Sequence, residues 1–217
     1  MSLSKFGPFA DVFAKGELVV PGYLELLSLN TTSAQIVIDR IERAISHDDP
    51  CPWVDALFDD PNWRPHLVAA IALILDDGQR LPIAGLWRAA DAGSWVTPQL
   101  IVSAYLVDPG FLDQCRMRFA NAGPVSPPVG LSPIERHSAT GPGSIRQRSA
   151  KLLASLATVG SRVPSLSSWL GEVGSIPEIA TLMAEDVDDS GQIAESWLSA
   201  VKYQFTLRGR ELKPKAA

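Results

Sequence analysis

A chain of 217 residues, 46% hydrophobic and 20% charged, carries enough apolar side chains for a sizeable core and too many for disorder. A net charge of −5 argues against general affinity for phosphate backbones, and two cysteines, Cys51 and Cys115, are too few for a disulfide framework. The longest apolar stretch, Leu67 to Leu75, is nine residues. A membrane-spanning helix needs roughly 20, and the N-terminus lacks the apolar core of a signal peptide, so the cytoplasm is the expected compartment.

Residues 1–16 read as a strap, with Phe6, Phe9 and Phe13 packing on the body and Gly7, Pro8 and Gly16 interrupting regular structure. Pro21 opens a short helix running to about Leu29. Asn30-Thr31-Thr32-Ser33 offers side-chain oxygens to the orphan N–H groups of a helix predicted from about Ser33 to His47. In that helix Val37, Ile38, Ile41, Ala44 and Ile45 share one face, opposite Asp39, Arg40, Glu42 and Arg43. Asp48-Asp49-Pro50 ends it, because the residue before a proline disfavours the helical region.

A short phrase then occurs twice. Trp63-Arg64-Pro65-His66-Leu67 opens an apolar run that stops at Asp76-Asp77-Gly78, and Trp95-Val96-Thr97-Pro98-Gln99-Leu100 opens one that stops at Asp108-Pro109-Gly110. The two prolines lie 33 residues apart, a spacing typical of paired-helix repeats. Each run follows a short predicted helix, Trp53 to Phe58 in one unit and Pro82 to Ala90 in the other, with a turn between short helix and long. A proline in the first helical turn removes only an N–H that would be unpaired there, and the tryptophan before it can staple the first turn. Leu67 to Leu75 is apolar all round, so both its sides should be covered.

Residues 121–144 break the pattern with five prolines and four glycines and read as an irregular loop. Beyond them helices are predicted over Lys151 to Val159, Ser165 to Val173, Pro177 to Ala184 and Gln192 to Phe205. The last carries Ile193, Trp197, Val201 and Phe205 on one stripe. The tail from Arg208 is polar and expected to fray. The prediction is a single all-α domain over 1–217: helical repeats over 1–120, the 121–144 loop, and helices over 145–217.

The doubled unit resembles HEAT-like α-helical repeat proteins, chiefly over residues 50–115. The resemblance implies stacked antiparallel helical hairpins, an α-solenoid whose groove grasps a partner.

Signals for chemistry are sparse. His66 stands where Gln99 stands in the second unit, which suggests a surface or capping place. His47 ends a helix, and no two histidines have metal-ligand spacing. Asp186-Val187-Asp188-Asp189-Ser190-Gly191 starts like a calcium loop, but Trp197 occupies the twelfth position, which needs a bidentate carboxylate. No catalytic, cofactor-binding or metal-binding residue is predicted. The expected function is a protein-interaction module, such as a small adaptor or an immunity-like, partner-neutralising protein. Trp87, Arg88, His137, Arg146 and Arg148 are its candidate surface, since Trp and Arg are favoured in hot spots. One alternative is an enzyme or small-ligand site under the 121–144 loop, built from Glu135, Arg136, His137 and Arg146. Another is nucleic-acid binding through the basic 146–162 stretch, against which the overall acidity counts.

Overall fold

A computed structural model describes residues 3–14, 16, 18, 20–122 and 145–215. The described residues hold twelve α-helices after a 3-10 segment (Leu3–Phe9), and no strand. In chain order the helices are α1 (Ala10–Phe13), α2 (Gly22–Ser28), α3 (Ser33–Ile45), α4 (Cys51–Phe58), α5 (Trp63–Asp76), α6 (Ala84–Asp91), α7 (Thr97–Val107) and α8 (Phe111–Asn121). After the loop come α9 (Ile145–Gly160), α10 (Pro164–Gly174), α11 (Pro177–Ala184) and α12 (Ser190–Leu207). The expected all-α class is therefore what the chain adopts. Residues 123–144, with Glu135, Arg136 and His137, lie outside the described part.

Helix ends follow local chemistry. The Thr31 hydroxyl accepts from the Ala34 N–H at 3.2 Å, so Thr31 does the capping expected of the 30–33 cluster for α3. Asn62 caps α5 by accepting from the Arg64 N–H at 3.2 Å. Helix α5 begins at Trp63 and α7 at Thr97, so each proline sits inside the first turn, where its missing N–H has no partner to lose. Helix α5 stops through left-handed Asp77 and Gly78, whose N–H groups return to Ile74 and Leu73. Gly78 also lies against the end of α7, where an added Cβ would fall 2.7 Å from the Val107 carbonyl. Helix α8 carries no clear apolar period, and it buries Phe111, Cys115, Arg118 and Phe119.

The core sits where α5 and α7 meet. Every residue from Pro65 to Asp76, and every residue of α7, is buried. Helix α5 packs on α2, α3, α4, α6 and α7, while α7 packs on α5, α6, α9 and α12. Such all-round cover is what two apolar runs without a polar face demand. Burying a Leu or Ile side chain contributes roughly 1.5–3 kcal/mol, so these two helices carry much of the stability. The short helices meet as well: α4 touches α6, and an added Cβ at Gly85 would lie 2.7 Å from the Phe58 ring. Only glycine permits that approach.

The two ends of the chain are joined. Helix α12 packs on α7 and α9 and touches α2. The Trp197 indole donates to the Leu26 carbonyl at 2.9 Å, and the Gln204 amide donates to the Leu29 carbonyl at 2.6 Å. The tail does not fray as its polarity suggested. Arg208 pairs with Asp39 and Glu42, Arg210 donates to the Leu75 carbonyl at 3.0 Å, and the Lys215 N–H reaches the Leu106 carbonyl at 3.3 Å. These bonds tie the tail across the C-terminal ends of α5 and α7. At the other end Phe6 and Phe9 are fully buried, as expected of the strap.

Candidate functional site

An open groove of about 610 Å³ lies between the end of α2 and the first half of α12. Leu27, Ile193, Trp197 and Ala200 supply its apolar surface, and Asp188 and Asp189 stand at its rim. Its shape follows from two local facts. Helix α2 ends early because Leu29 adopts the left-handed conformation and returns its N–H to Glu25. Trp197 and Gln204 then clamp α12 to the freed carbonyls of Leu26 and Leu29, fixing the spacing between the helices. At the start of α12, Asp186 accepts from the Ser190 N–H at 2.7 Å and the Ser190 hydroxyl at 2.8 Å. Asp186 therefore serves the helix end rather than a calcium ion, and Asp188 pairs with Lys151 at 2.8 Å.

Apolar surface continues along α12 beyond the groove. Tyr203 is 60% exposed and Leu207 59%. Residues 193, 196, 200, 203 and 207 recur at intervals of three and four, hence on one helix face. The predicted stripe at fours lies beside it: Trp197, Val201 and Phe205 are buried, whereas Ile193 faces outward. The signal for the exposed face was the second apolar line, Ala200, Tyr203 and Leu207, running next to the buried one.

The five candidate surface residues do not converge. Trp87 is 6% exposed, so it is not a surface anchor; its indole donates to Asp108 at 2.7 Å, and the Arg118 guanidinium lies 4.1 Å from the ring. Arg118 in turn grips Asp91 with two hydrogen bonds, at 2.8 and 2.7 Å. Arg88 is exposed and paired with Asp59 at 2.9 Å. Arg146 pairs with Glu185 at 2.5 Å; the Glu185 bond raises the Arg146 pKa, and the same bond lowers that of Glu185. Arg148 donates to the Ala92 carbonyl at 3.2 Å. His137 lies outside the described residues. A smaller hollow of about 250 Å³, lined by residues of α6, α8 and α9 such as Asp91, Met117, Arg118 and Leu152, sits beside Ala122.

His66 corrects its surface expectation, since it is buried. Its Nε2 lies 2.7 Å from the Asp60 carbonyl and its Nδ1 2.8 Å from the Ser94 hydroxyl. A carbonyl only accepts, so Nε2 carries the proton and Nδ1 accepts from Ser94. Burial pushes the His66 pKa down, against the raising effect of the Asp60 carbonyl and carboxylate. Histidine and serine here resemble a base and a nucleophile, yet neither lines either hollow. Their bond joins the first turn of α5 to the turn before α7. Burial likewise pushes the Cys115 thiol up to about 12, which leaves it without thiolate character.

The doubled tryptophans meet in space. The Trp63 and Trp95 rings lie 4.8 Å apart, and Tyr23 extends the row from the other side of Trp63 at 5.9 Å. Among the described residues no group of three or more His, Cys, Asp and Glu side chains is placed to hold a metal, and no helix is long and apolar enough to cross a membrane. No protein-family model matches the chain, and no curated protein or solved structure does either.

Proposed function

We infer that the protein is a non-catalytic interaction module, an adaptor or an immunity-like partner-neutralising protein of the cytoplasm, that binds another protein through the α2–α12 groove. In this reading α4–α7 are HEAT-like hairpins stacked side by side, and α12 closes the stack and offers its outer face. One observation carries it: an open apolar hollow continues into an exposed apolar helix face, and side chains as large as Tyr203 and Leu207 left in water mark interaction surfaces. The basic 146–162 stretch favours nucleic acid less. Arg146, Lys151 and Arg162 pair with Glu185, Asp188 and Glu195, so much of its positive charge is matched within the chain.

A photo-crosslinking residue at Ile193 tests the reading in native cells, with the same residue at exposed Glu178 on α11 as control. A discrete protein adduct at position 193, absent at 178, is expected. Absence of any adduct from the groove, or the same adducts at both positions, would overturn it. Of the small-ligand alternative under the 121–144 loop, Glu135, Arg136 and His137 lie outside the described residues and Arg146 pairs with Glu185; in the nearby 250 Å³ hollow Arg118 is matched by Asp91.

A further inference from the structure

We propose that the groove receives a lysine- or arginine-bearing apolar helix of the partner protein, its basic end set against Asp188 and Asp189. This rests on the interaction reading above and names the class of partner.

Three observations lead there. First, the groove has an apolar floor with a charged rim of one sign: Asp188 and Asp189 line it, and no lysine or arginine does. Asp188 shares its charge with Lys151, but among the described residues no cation pairs with Asp189. An anionic partner segment would bring like charges together at this rim. A cationic one gains there, and the chain's net charge of −5 steers it in from a distance.

Second, the end of α2 brings backbone acceptors to the groove that no donor of the described residues meets. Helix α2 ends at Ser28, and among the described residues no N–H or hydroxyl reaches the carbonyls of Leu27 or Ser28, both groove residues. These carbonyls form the negative pole of α2. An ammonium or guanidinium group brings three to five donors and no acceptor, which is the complement of such a rim.

Third, the apolar face is long. From Ile193 to Leu207 it spans fourteen residue steps, about 21 Å at ~1.5 Å per residue. A small molecule filling the hollow would leave Tyr203 and Leu207 uncovered. A partner helix of about fourteen residues laid along α12, with apolar side chains spaced by three and four, covers the whole line.

Two labelled fourteen-residue amphipathic peptides test this, identical in their leucine positions and carrying lysine in one and glutamate in the other at every polar position. Fluorescence anisotropy at physiological salt should show the lysine peptide binding at least ten-fold tighter than the glutamate peptide. Asp189→Asn should weaken the lysine peptide several-fold; asparagine tolerates the left-handed backbone found there (φ 50°), so the fold is kept. Ser196→Trp, at an exposed groove position, should block it without altering charge. Equal binding of both peptides, no binding of either, or a lysine peptide indifferent to Ser196→Trp would each overturn the proposal. The last result would mark adsorption elsewhere on an acidic surface. The natural adduct separates the two claims: a crosslinked partner segment that is acidic or neutral sinks this inference and leaves the interaction module standing.

Discussion

The two short-helix and long-helix units, α4–α5 and α6–α7, begin from similar words and end in different surroundings. Trp63 is half-buried between Tyr23 and Trp95, with the Arg64 guanidinium 4.9 Å from its ring, whereas Trp95 ends the row and is 57% exposed. His66 satisfies both ring nitrogens, one of them across the junction between the units, while the buried side-chain oxygen of Gln99, one unit later, has no partner among the described residues. Trp53 on α4 is 36% exposed and covers Gly7 of the strap; Trp87 on α6 is sealed under Arg118. Similar words place residues in equivalent rows. The neighbour on the far side then decides what each residue does there, and for the second unit that neighbour is α8 or α9 rather than another copy.

The sharpest way to break the comparison is to remove the matched tryptophans. Trp87→Ala should destabilise the protein by about 3–5 kcal/mol, the range for a large buried aromatic, since it also strips the Asp108 carboxylate of a donor. Trp53→Ala should cost less, about 1–2 kcal/mol, because Trp53 is 36% exposed and donates no buried hydrogen bond among the described residues. Urea unfolding measures both. Equal losses would mean that the two short helices are equivalently packed, contrary to the asymmetry described here.

Much of this fold was legible because its signals are local. The apolar runs Leu67 to Leu75 and Leu100 to Val107 announced buried helices, and the 30–33 cluster announced the start of α3. What stayed hidden depends on distant partners. Nothing near Trp87 tells that Asp108 and Arg118 will enclose it, and nothing near Arg208 tells that Asp39 and Glu42 await it across the fold. Helix α8 escaped because its buried Phe111, Cys115, Arg118 and Phe119 include a cation, which blurs the apolar period. The groove escaped for a related reason: Leu27 and Trp197 come from opposite ends of the sequence, and only the closing of α12 onto α2 brings them together.

A second pair of substitutions should move stability in opposite directions. His66→Leu takes the donor from the buried Asp60 carbonyl and leaves the Ser94 hydroxyl proton without an acceptor, although Ser94 Oγ still accepts from the Val96 N–H at 3.4 Å. It should cost about 2–3 kcal/mol. Gln99→Leu removes an unpaired oxygen at nearly constant volume and should be neutral or stabilising by about 1 kcal/mol. Urea midpoints give both values. If both variants lose stability alike, the buried oxygen of Gln99 has a partner after all, and the two junctions are equally satisfied.

The smallest expected effect is a slope with pH that only the first unit has. His66 is held below its ordinary 6.5 chiefly by burial, against the raising influence of the Asp60 and Phe58 carbonyls and the carboxylates of Asp60 and Asp59. Those carboxylates are themselves matched by Lys5 and Arg88, which limits their pull on the ring. The unfolded chain therefore takes up a proton near pH 6.5 that the folded chain still refuses. Stability from this residue is complete above that pH and falls as the medium is acidified toward the lower folded value. Protonation keeps the Nε2 bond to Asp60 and lets Ser94 turn its hydroxyl oxygen toward Nδ1, so the loss should be smaller than that of His66→Leu. Urea midpoints between about pH 5 and 8 should decline on the acid side for the native chain and stay flatter for His66→Gln. Staying above about pH 5 keeps Asp76 out of the measurement: burial pushes its carboxyl up, but the Arg80 and Leu81 N–H groups and the Arg80 side chain outweigh this and hold it below its ordinary 3.8. Parallel profiles for the native chain and His66→Gln would mean that the ring is not desolvated, and the junction between the units would then be wetter than its geometry implies.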